Sequence, residues 1–225
     1  RYETLHAVVY FAREVADAMV DVGLKGFWMG YFAGRSAPFG EAGPELVTAT
    51  FYNFHPAMPA RALPDAWSFA SPADVLAARY SALDATLRRL LGDLADGAAI
   101  DEAVQLADTA TEGCSPQGRA LFAAHLSLDR PTAPHLRLWH AATLLREHRG
   151  DGHVAALLAA GLDGLEAHVT AVASGTVDAA RMRASRGWSE EDWQAAVDRL
   201  AERGLLDRSG ALTPRGTALR AEVDA

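Results

Sequence analysis

A polar stripe on an apolar segment is the first place in this sequence where chemistry could occur. His140, Thr143 and Glu147 recur at i, i+3 and i+7 within residues 136–149, so a helix would place them on one side. The side chains around them, Trp139 among them, are mostly apolar, which predicts a helix that is packed on most of its surface. A glutamate buried there needs a partner, and it could act as a general base if burial moved its pKa toward neutrality.

A second polar group follows the stripe directly. Arg149, Asp151 and His153 alternate with two glycines. Gly150 predicts the end of the first helix, and Asp151 predicts the cap of a second helix over residues 152–160. The three polar side chains would then lie in one tight turn between two apolar helices.

Three interpretations of this region remain open. In the first, Glu147, Arg149 and Asp151 form an internal ion-pair network that fixes the turn. In the second, Glu147 and His153 are the catalytic acid and base of an enzyme that needs no cofactor. In the third, Arg149 or Arg35 binds the anionic group of a ligand whose remainder contacts apolar and aromatic walls.

Residues near the amino terminus could complete the pocket of the third interpretation. His6 and Tyr10 lie beside the main apolar stripe of the first predicted helix, where they either line a cavity or form a solvated flank. Trp28, Tyr31 and Arg35 fall in a segment rich in aromatic residues and glycines that lacks the spacing of a phosphate loop. The candidate ligand-binding residues are therefore His6, Tyr10, Trp28, Tyr31, Arg35, Trp139, His140, Thr143, Glu147, Arg149 and His153.

Composition narrows the class of protein. Half of the 225 residues are hydrophobic, which is typical of a globular protein. The formal net charge is -8, whereas free nucleic-acid-binding domains usually carry a basic excess, so nonspecific binding to nucleic-acid phosphates is disfavoured. Cys114 is the only cysteine, which excludes an intrachain disulfide and fits a cytoplasmic protein. No apolar run approaches 18 residues, so no membrane contact is expected. We also expect neither a cofactor nor a metal ion, because the histidines lack the HExxH spacing.

The hydrophobic pattern predicts a succession of helices separated by glycines and prolines. The first helix covers residues 2–22 without interruption, and later helices are capped by Ser71 and Ser189. Residues 205–213 predict a short hairpin, and residues 57–63, which prolines flank, predict an extended ribbon. At the carboxyl end the order is helix, turn, helix, hairpin, helix, which is that of a winged helix.

Two resemblances agree with this order. The run GLLDRSGALTPRGTALR is similar to the wing and the following helix of MarR-like winged-helix proteins. Over nearly its full length, with GYFAGRSAPFG, LREHRGDGHVAAL and RGW as landmarks, the chain resembles a family of actinobacterial helix-turn-helix proteins that are functionally uncharacterised. The second resemblance implies a fold rather than an activity.

We therefore expect a mainly α fold with two tandem winged-helix modules and small β-ribbon wings around a helical middle. Residues 32–67 look like a weak second copy of the pattern in residues 177–213. The expected domains are residues 1–70 (an amino-terminal helix and a degenerate winged helix), residues 71–175 (the helical middle) and residues 176–225 (the MarR-like winged helix).

The expected function is the binding of a small, largely apolar or aromatic molecule in an internal pocket, with a sensing or regulatory role. Direct DNA binding is not expected, because the second helix of the winged helix, residues 189–203, carries five carboxylates and two arginines. Two alternatives stay open. One is the cofactor-independent enzyme, and the other is a transcriptional regulator that binds DNA.

Overall fold

The computed structural model describes residues 2–175 and 177–225 and is mainly helical. Short 3-10 helices lie at Ala37–Phe39, Asp65–Ser68 and Gly92–Asp96. In chain order, the α-helices of the described residues are α1 Tyr2–Phe11, α2 Arg13–Asp21, α3 Gly26–Ser36, α4 Pro44–Phe51, α5 Ala57–Ala60, α6 Pro72–Leu91, α7 Ala98–Glu112, α8 Ala120–Leu126, α9 Pro134–Ala159, α10 Gly164–Ala173, α11 Ala179–Arg186, α12 Glu190–Glu202 and α13 Pro214–Asp224.

The chain divides into two compact units. Unit 1 contains the described residues up to Pro44 together with Arg61–Asp151, and unit 2 contains Glu45–Ala60 together with Gly152–Ala225. Helix α9 thus contributes to both units. This division does not coincide with boundaries after residues 70 and 175, and the three expected domains stay a prediction.

In unit 1, α2 and α3 pack against the long helix α6. As the sequence predicts, α6 begins at a capping box, in which the Asp74 backbone N–H donates to Ser71 Oγ at 3.2 Å. The core of this unit includes Val9, Leu83 and Trp139. One face of α6 is buried, and it places the arginine Arg79 among apolar neighbours.

The first predicted helix is wrong in one respect, because it is broken. Ala12 has extended backbone angles and separates α1 from α2. No glycine or proline lies between residues 2 and 22, so no local signal marks this break. The prediction that Gly23 ends the second piece is consistent with its φ of 96°.

The predicted turn at residues 149–153 is also wrong, because α9 continues through it to Ala159. Gly150 is not among the residues with positive φ, so it does not end the helix. Asp151 caps a different helix: its Oδ2 accepts the backbone N–H of Phe122, in the first turn of α8, at 2.9 Å. A glycine favours the end of a helix because it readily adopts the left-handed conformation, but Gly150 does not adopt it and the helix continues.

Unit 2 contains the carboxy-terminal helices. Gly187 in the left-handed conformation separates α11 from α12, and a capping box between Ser189 and Asp192 starts α12 as predicted. Trp193 and Leu200 on the inner face of α12 pack in the core of this unit. The order of α11, turn and α12 is that of a helix-turn-helix.

The β-ribbon wings are not found among the described residues, which contain no strand. The carboxy-terminal hairpin is reduced to one antiparallel bridge between Leu206 and Leu212. The ladder has no room to lengthen away from its loop, because α13 begins at Pro214, two residues after Leu212. Inside the loop, Asp207 Oδ1 accepts the backbone N–H groups of Ser209 and Ala211. The ribbon predicted over residues 57–63 is wrong, since the helix α5 begins it and a turn follows.

The described residues include no single helix that is both long and apolar enough to cross a membrane. Only when α9 and α10 are taken together, as a pair bent by 94°, do length and composition reach that requirement.

Candidate functional site

A cavity of about 170 Å³ lies in unit 1 beside the first three helices and α6. Its walls are largely apolar, and its polar groups are two tyrosines and two arginines. The lining residues are Val9, Tyr10, Ala12, Val15, Ala16, Met19, Val20, Gly26, Phe27, Gly30, Tyr31, Gly34, Arg35 and Arg79.

Three glycines on α3 help to explain why this space is empty. Gly26, Gly30 and Gly34 recur every four residues, so they share one face of the helix, and all three line the cavity. A Cβ added at Gly30 would lie 3.2 Å from Met19 Cβ, whereas one added at Gly34 would lie 3.9 Å from Met19 Sδ. α3 therefore approaches α2 closely at Gly30 and leaves room at Gly34.

The solvent exposure of the lining residues distinguishes the mouth of the cavity from its floor. Val20 and Phe27 are 60% and 55% exposed, so they lie at the mouth. Arg35 and Arg79 are 8% and 3% exposed, so they lie at the floor. An apolar molecule that enters this cavity would meet buried cations at its inner end.

Arg35 is held by Glu147 of α9 in a two-point ion pair. Arg35 Nε lies 3.2 Å from Glu147 Oε1, and Arg35 Nη2 lies 2.9 Å from Glu147 Oε2. Arg146 Nη1 donates to the same Oε2 at 2.7 Å. Burial opposes ionisation of Glu147, but the Arg35 and Arg146 guanidiniums outweigh it and hold the pKa of this carboxyl well below its usual range.

Glu147 therefore stays ionised at neutral pH, with both oxygens occupied by guanidinium donors. A general base needs a pKa near the working pH, and the pKa of this carboxyl lies well below that range. The geometry makes Glu147 a counter-ion of Arg35 and Arg146.

His153, the second catalytic candidate, is half-buried in unit 2, with Nδ1 3.3 Å from the Val223 carbonyl oxygen.

His6 lies behind the cavity wall and is hydrogen-bonded to Tyr10, which lines the cavity. His6 is buried, with Nδ1 3.0 Å from Thr143 Oγ1 and Nε2 3.0 Å from the Tyr10 hydroxyl. Its ring stacks on Trp139, at 6.1 Å between centroids and 11° between planes. Burial lowers the pKa of His6 to about 2 and, opposed by the Arg35 charge, raises the pKa of Tyr10 to about 12, so both groups are neutral near pH 7.

His140, which lies on α9 like Trp139 and Thr143, makes a separate hydrogen bond. Its Nδ1 lies 2.7 Å from the Tyr80 hydroxyl, and burial lowers its pKa to about 4. The predicted stripe of His140, Thr143 and Glu147 is thus buried, and each member meets a different partner. The stripe supports the cavity from behind, and none of its members lines it.

The candidate ligand-binding residues fall into three groups. Tyr10, Tyr31 and Arg35 line the cavity. Trp28 stands beside it, with its ring 5.7 Å from that of Tyr31. Arg149 is exposed and pairs with Glu3 at 3.1 Å. The remaining candidates lie behind the cavity wall or, for His153, in unit 2: His6, Trp139, His140, Thr143, Glu147 and His153.

Sequence reasoning missed Arg79, which is the most buried cation at the cavity. A signal for it exists, since Val75, Arg79, Ala82 and Leu83 share one helical face of α6, where an arginine interrupts an apolar stripe. The spacing of Gly26, Gly30 and Gly34 is a second signal, because small residues every four positions mark a close helix approach.

Comparison with known proteins identifies the family. No curated protein and no solved structure matches the chain. The model of a helix-turn-helix family, in contrast, matches residues 1–225. The chain therefore belongs to this helix-turn-helix family.

Proposed function

We propose that this helix-turn-helix protein binds a small, largely apolar or aromatic molecule in the unit 1 cavity and serves as a ligand-responsive regulator. The observation that carries the proposal is an apolar cavity with a mouth open to solvent and with its charged groups, Arg35 and Arg79, confined to its floor. Pockets that bind small molecules combine apolar walls with a few convergent polar groups in this way.

The cavity volume limits the size of the molecule. An engineered apolar cavity of about 150 Å³ in another protein stays dry and binds benzene. A cavity of about 170 Å³ therefore matches one aromatic ring with a short substituent, or an aliphatic chain of similar size. Larger molecules would have to extend past Phe27 at the mouth.

We further propose that the protein does not bind DNA directly through α12. Glu191 and Asp198 on the exposed face of this helix carry negative charge. Arg199 is engaged by Asp163 at 2.9 Å, and Arg203 is engaged by Glu166 at 3.0 Å. Phosphate contacts need available cations, so this surface disfavours a duplex.

Direct DNA binding is the competing function, and membership of a helix-turn-helix family favours it. In that case the ligand would act on a DNA-bound protein. A binding assay on duplex DNA distinguishes a regulator that binds DNA directly from one that does not.

Thermal unfolding in the presence of toluene, phenol and indole tests the proposed cavity. A ligand at 100 times its Kd adds about 2.7 kcal/mol, which should raise the Tm by on the order of 5 to 10 °C for a chain of this size. The Gly34→Leu variant directs its side chain toward Met19 and should abolish the rise. Gly113→Leu is the matched control, because Gly113 is exposed at the end of α7 with negative φ. An equal rise in Gly34→Leu, or no rise with any of the three probes, would contradict the proposal.

A further inference from the structure

Arg79 is the most deeply buried cation at the cavity floor. It is 3% exposed, and its Nε is buried without a hydrogen-bond acceptor. Its Nη1 donates to the Gly34 carbonyl at 2.7 Å, and its guanidinium lies 4.9 Å from the Trp139 ring centroid. Among residues 2–175 and 177–225, no carboxylate lies within ion-pair distance of it. Fully buried arginines are rare unless they are paired.

The neighbouring charges do not correct this imbalance. Glu147 faces Arg35 and Arg146 at once, so one buried carboxylate serves two guanidiniums. Glu3 approaches Arg146 at 3.7 Å from the exposed side but also pairs with Arg149 at 3.1 Å, so it has no negative charge to spare. His6 adds no charge near pH 7. With these pairs formed, no carboxylate among the described residues balances the positive charge of Arg79.

The Gly34 contact explains part of the position of Arg79. In a regular α-helix the Gly34 carbonyl would accept the backbone N–H of residue 38, but residue 38 is a proline and has none. Arg79 supplies the missing donor. A neutral amide could do the same, so this role does not account for a positive charge at the floor of an apolar cavity.

We propose that the ligand of this cavity carries a carboxylate, which accepts hydrogen bonds from Arg79 while its ring or chain contacts the apolar walls. The inference rests on the proposed function. The ligand class is a small aryl or alkyl carboxylate, with phenylacetate as a representative. A carboxylate would neutralise the unpaired cation, and its oxygens match the donor geometry of a guanidinium.

The test compares phenylacetate, its neutral amide phenylacetamide, and toluene on the full chain by isothermal titration calorimetry. We expect phenylacetate to bind at least tenfold more tightly than phenylacetamide, because its carboxylate adds charge–charge attraction to the hydrogen bonds from Arg79, whereas the amide offers the same guanidinium only a neutral carbonyl. In Arg79→Gln, which keeps an N–H donor for Gly34, this ratio should fall to about one while phenylacetamide binding is kept. Arg79→Lys should restore a preference for the carboxylate. Arg89→Gln is the matched control on α6, since Arg89 is exposed and pairs with Glu14, and it should leave the ratio unchanged.

The outcomes separate this inference from the proposed function. If toluene and phenylacetamide bind but phenylacetate binds no more tightly, the carboxylate is refuted and the apolar cavity stands. If none of the three probes binds, both proposals fail. A carboxylate preference that survives in Arg79→Gln would refute the role of Arg79. Should Arg79→Gln not fold, the ratio in the unaltered protein and in Arg79→Lys decides the question.

Discussion

Arg35 and Glu147 are 112 residues apart in the sequence and form a buried, two-point ion pair that joins α3 to α9. The pair lies at the inner end of the cavity, since Arg35 lines the cavity and Glu147, 1% exposed, lies behind Arg35. Arg35 also donates to the Tyr31 hydroxyl at 3.4 Å, which connects the pair to a second lining residue.

Removing one partner of this pair should be strongly destabilising. We expect Glu147→Gln to lower the free energy of unfolding by about 3 to 5 kcal/mol, because it leaves a buried guanidinium uncompensated. The exposed pair of Arg13 and Asp17 is the control, and Asp17→Asn should cost about 0 to 1 kcal/mol. Urea denaturation measures both. A loss under 1 kcal/mol in Glu147→Gln would show that the carboxylate does not hold the arginines.

Two residues of α1 should behave differently from each other. His6→Ala removes a buried ring with two hydrogen bonds, so a loss on the order of 2 to 4 kcal/mol is expected. Tyr10→Phe keeps the cavity wall and removes only the hydroxyl, which should cost about 0.5 to 1.5 kcal/mol and preserve toluene binding. Phe11→Ala is the control, since Phe11 is 84% exposed. A stable His6→Ala protein would mean that the histidine is not part of the core.

Local signals in the sequence predicted the helix starts well, and long-range partners explain what they missed. The caps at Ser71 and Ser189 lie within three residues of the backbone N–H groups that they accept, so spacing alone finds them. Asp151 has the same local signature, but its partner is Phe122, 29 residues away, and the predicted turn was therefore wrong. No spacing rule connects Glu147 to Arg35.

The same limit applies to the candidate site. Helical periodicity was enough to single out Tyr10, which lies beside the apolar stripe of the first predicted helix, and aromatic composition was enough to single out Tyr31. The burial of His6 and of Arg79 depends on packing between α1, α6 and α9, which only the structure supplies.

Stability should fall as the pH drops below about 6.5. Burial lowers the pKa of His125, His140 and His168 to about 4 and that of His6 to about 2. Because these folded-state values lie below the unfolded value near 6.5, the unfolded chain binds protons first, and the stabilisation present above pH 6.5 is lost toward pH 4. Each proton taken up contributes about 1.4 kcal/mol per pH unit.

Urea denaturation at pH 5, 6, 7 and 8 measures this loss. The variant His140→Gln should show a shallower dependence between pH 7 and pH 5, since one titrating group is removed. Equal stability of the unaltered protein at pH 7 and pH 5 would contradict the burial of these histidines.

The charge of α12 predicts weak interaction with DNA. We expect no sub-micromolar, sequence-selective binding to duplex DNA at physiological salt, measured by fluorescence anisotropy on a random-sequence library. The variant Glu191→Gln/Asp198→Asn/Glu202→Gln removes three negative charges from the exposed face and should increase salt-dependent, nonspecific binding. Selective sub-micromolar binding by the unaltered protein would establish direct DNA recognition instead.

The central claim, that a small molecule occupies the unit 1 cavity, is tested most directly by methyl NMR on protein labelled with 13C at its four methionines. Met19 lines the cavity, whereas Met58 and Met182 belong to unit 2 and serve as internal references. During a titration with phenylacetate or toluene, the Met19 methyl signal should shift in a saturable way and show nuclear Overhauser effects to the ring protons of the probe, with Met58 and Met182 unchanged. A Met19 signal that stays fixed while either reference signal shifts, or no change in any methyl signal, would contradict the claim.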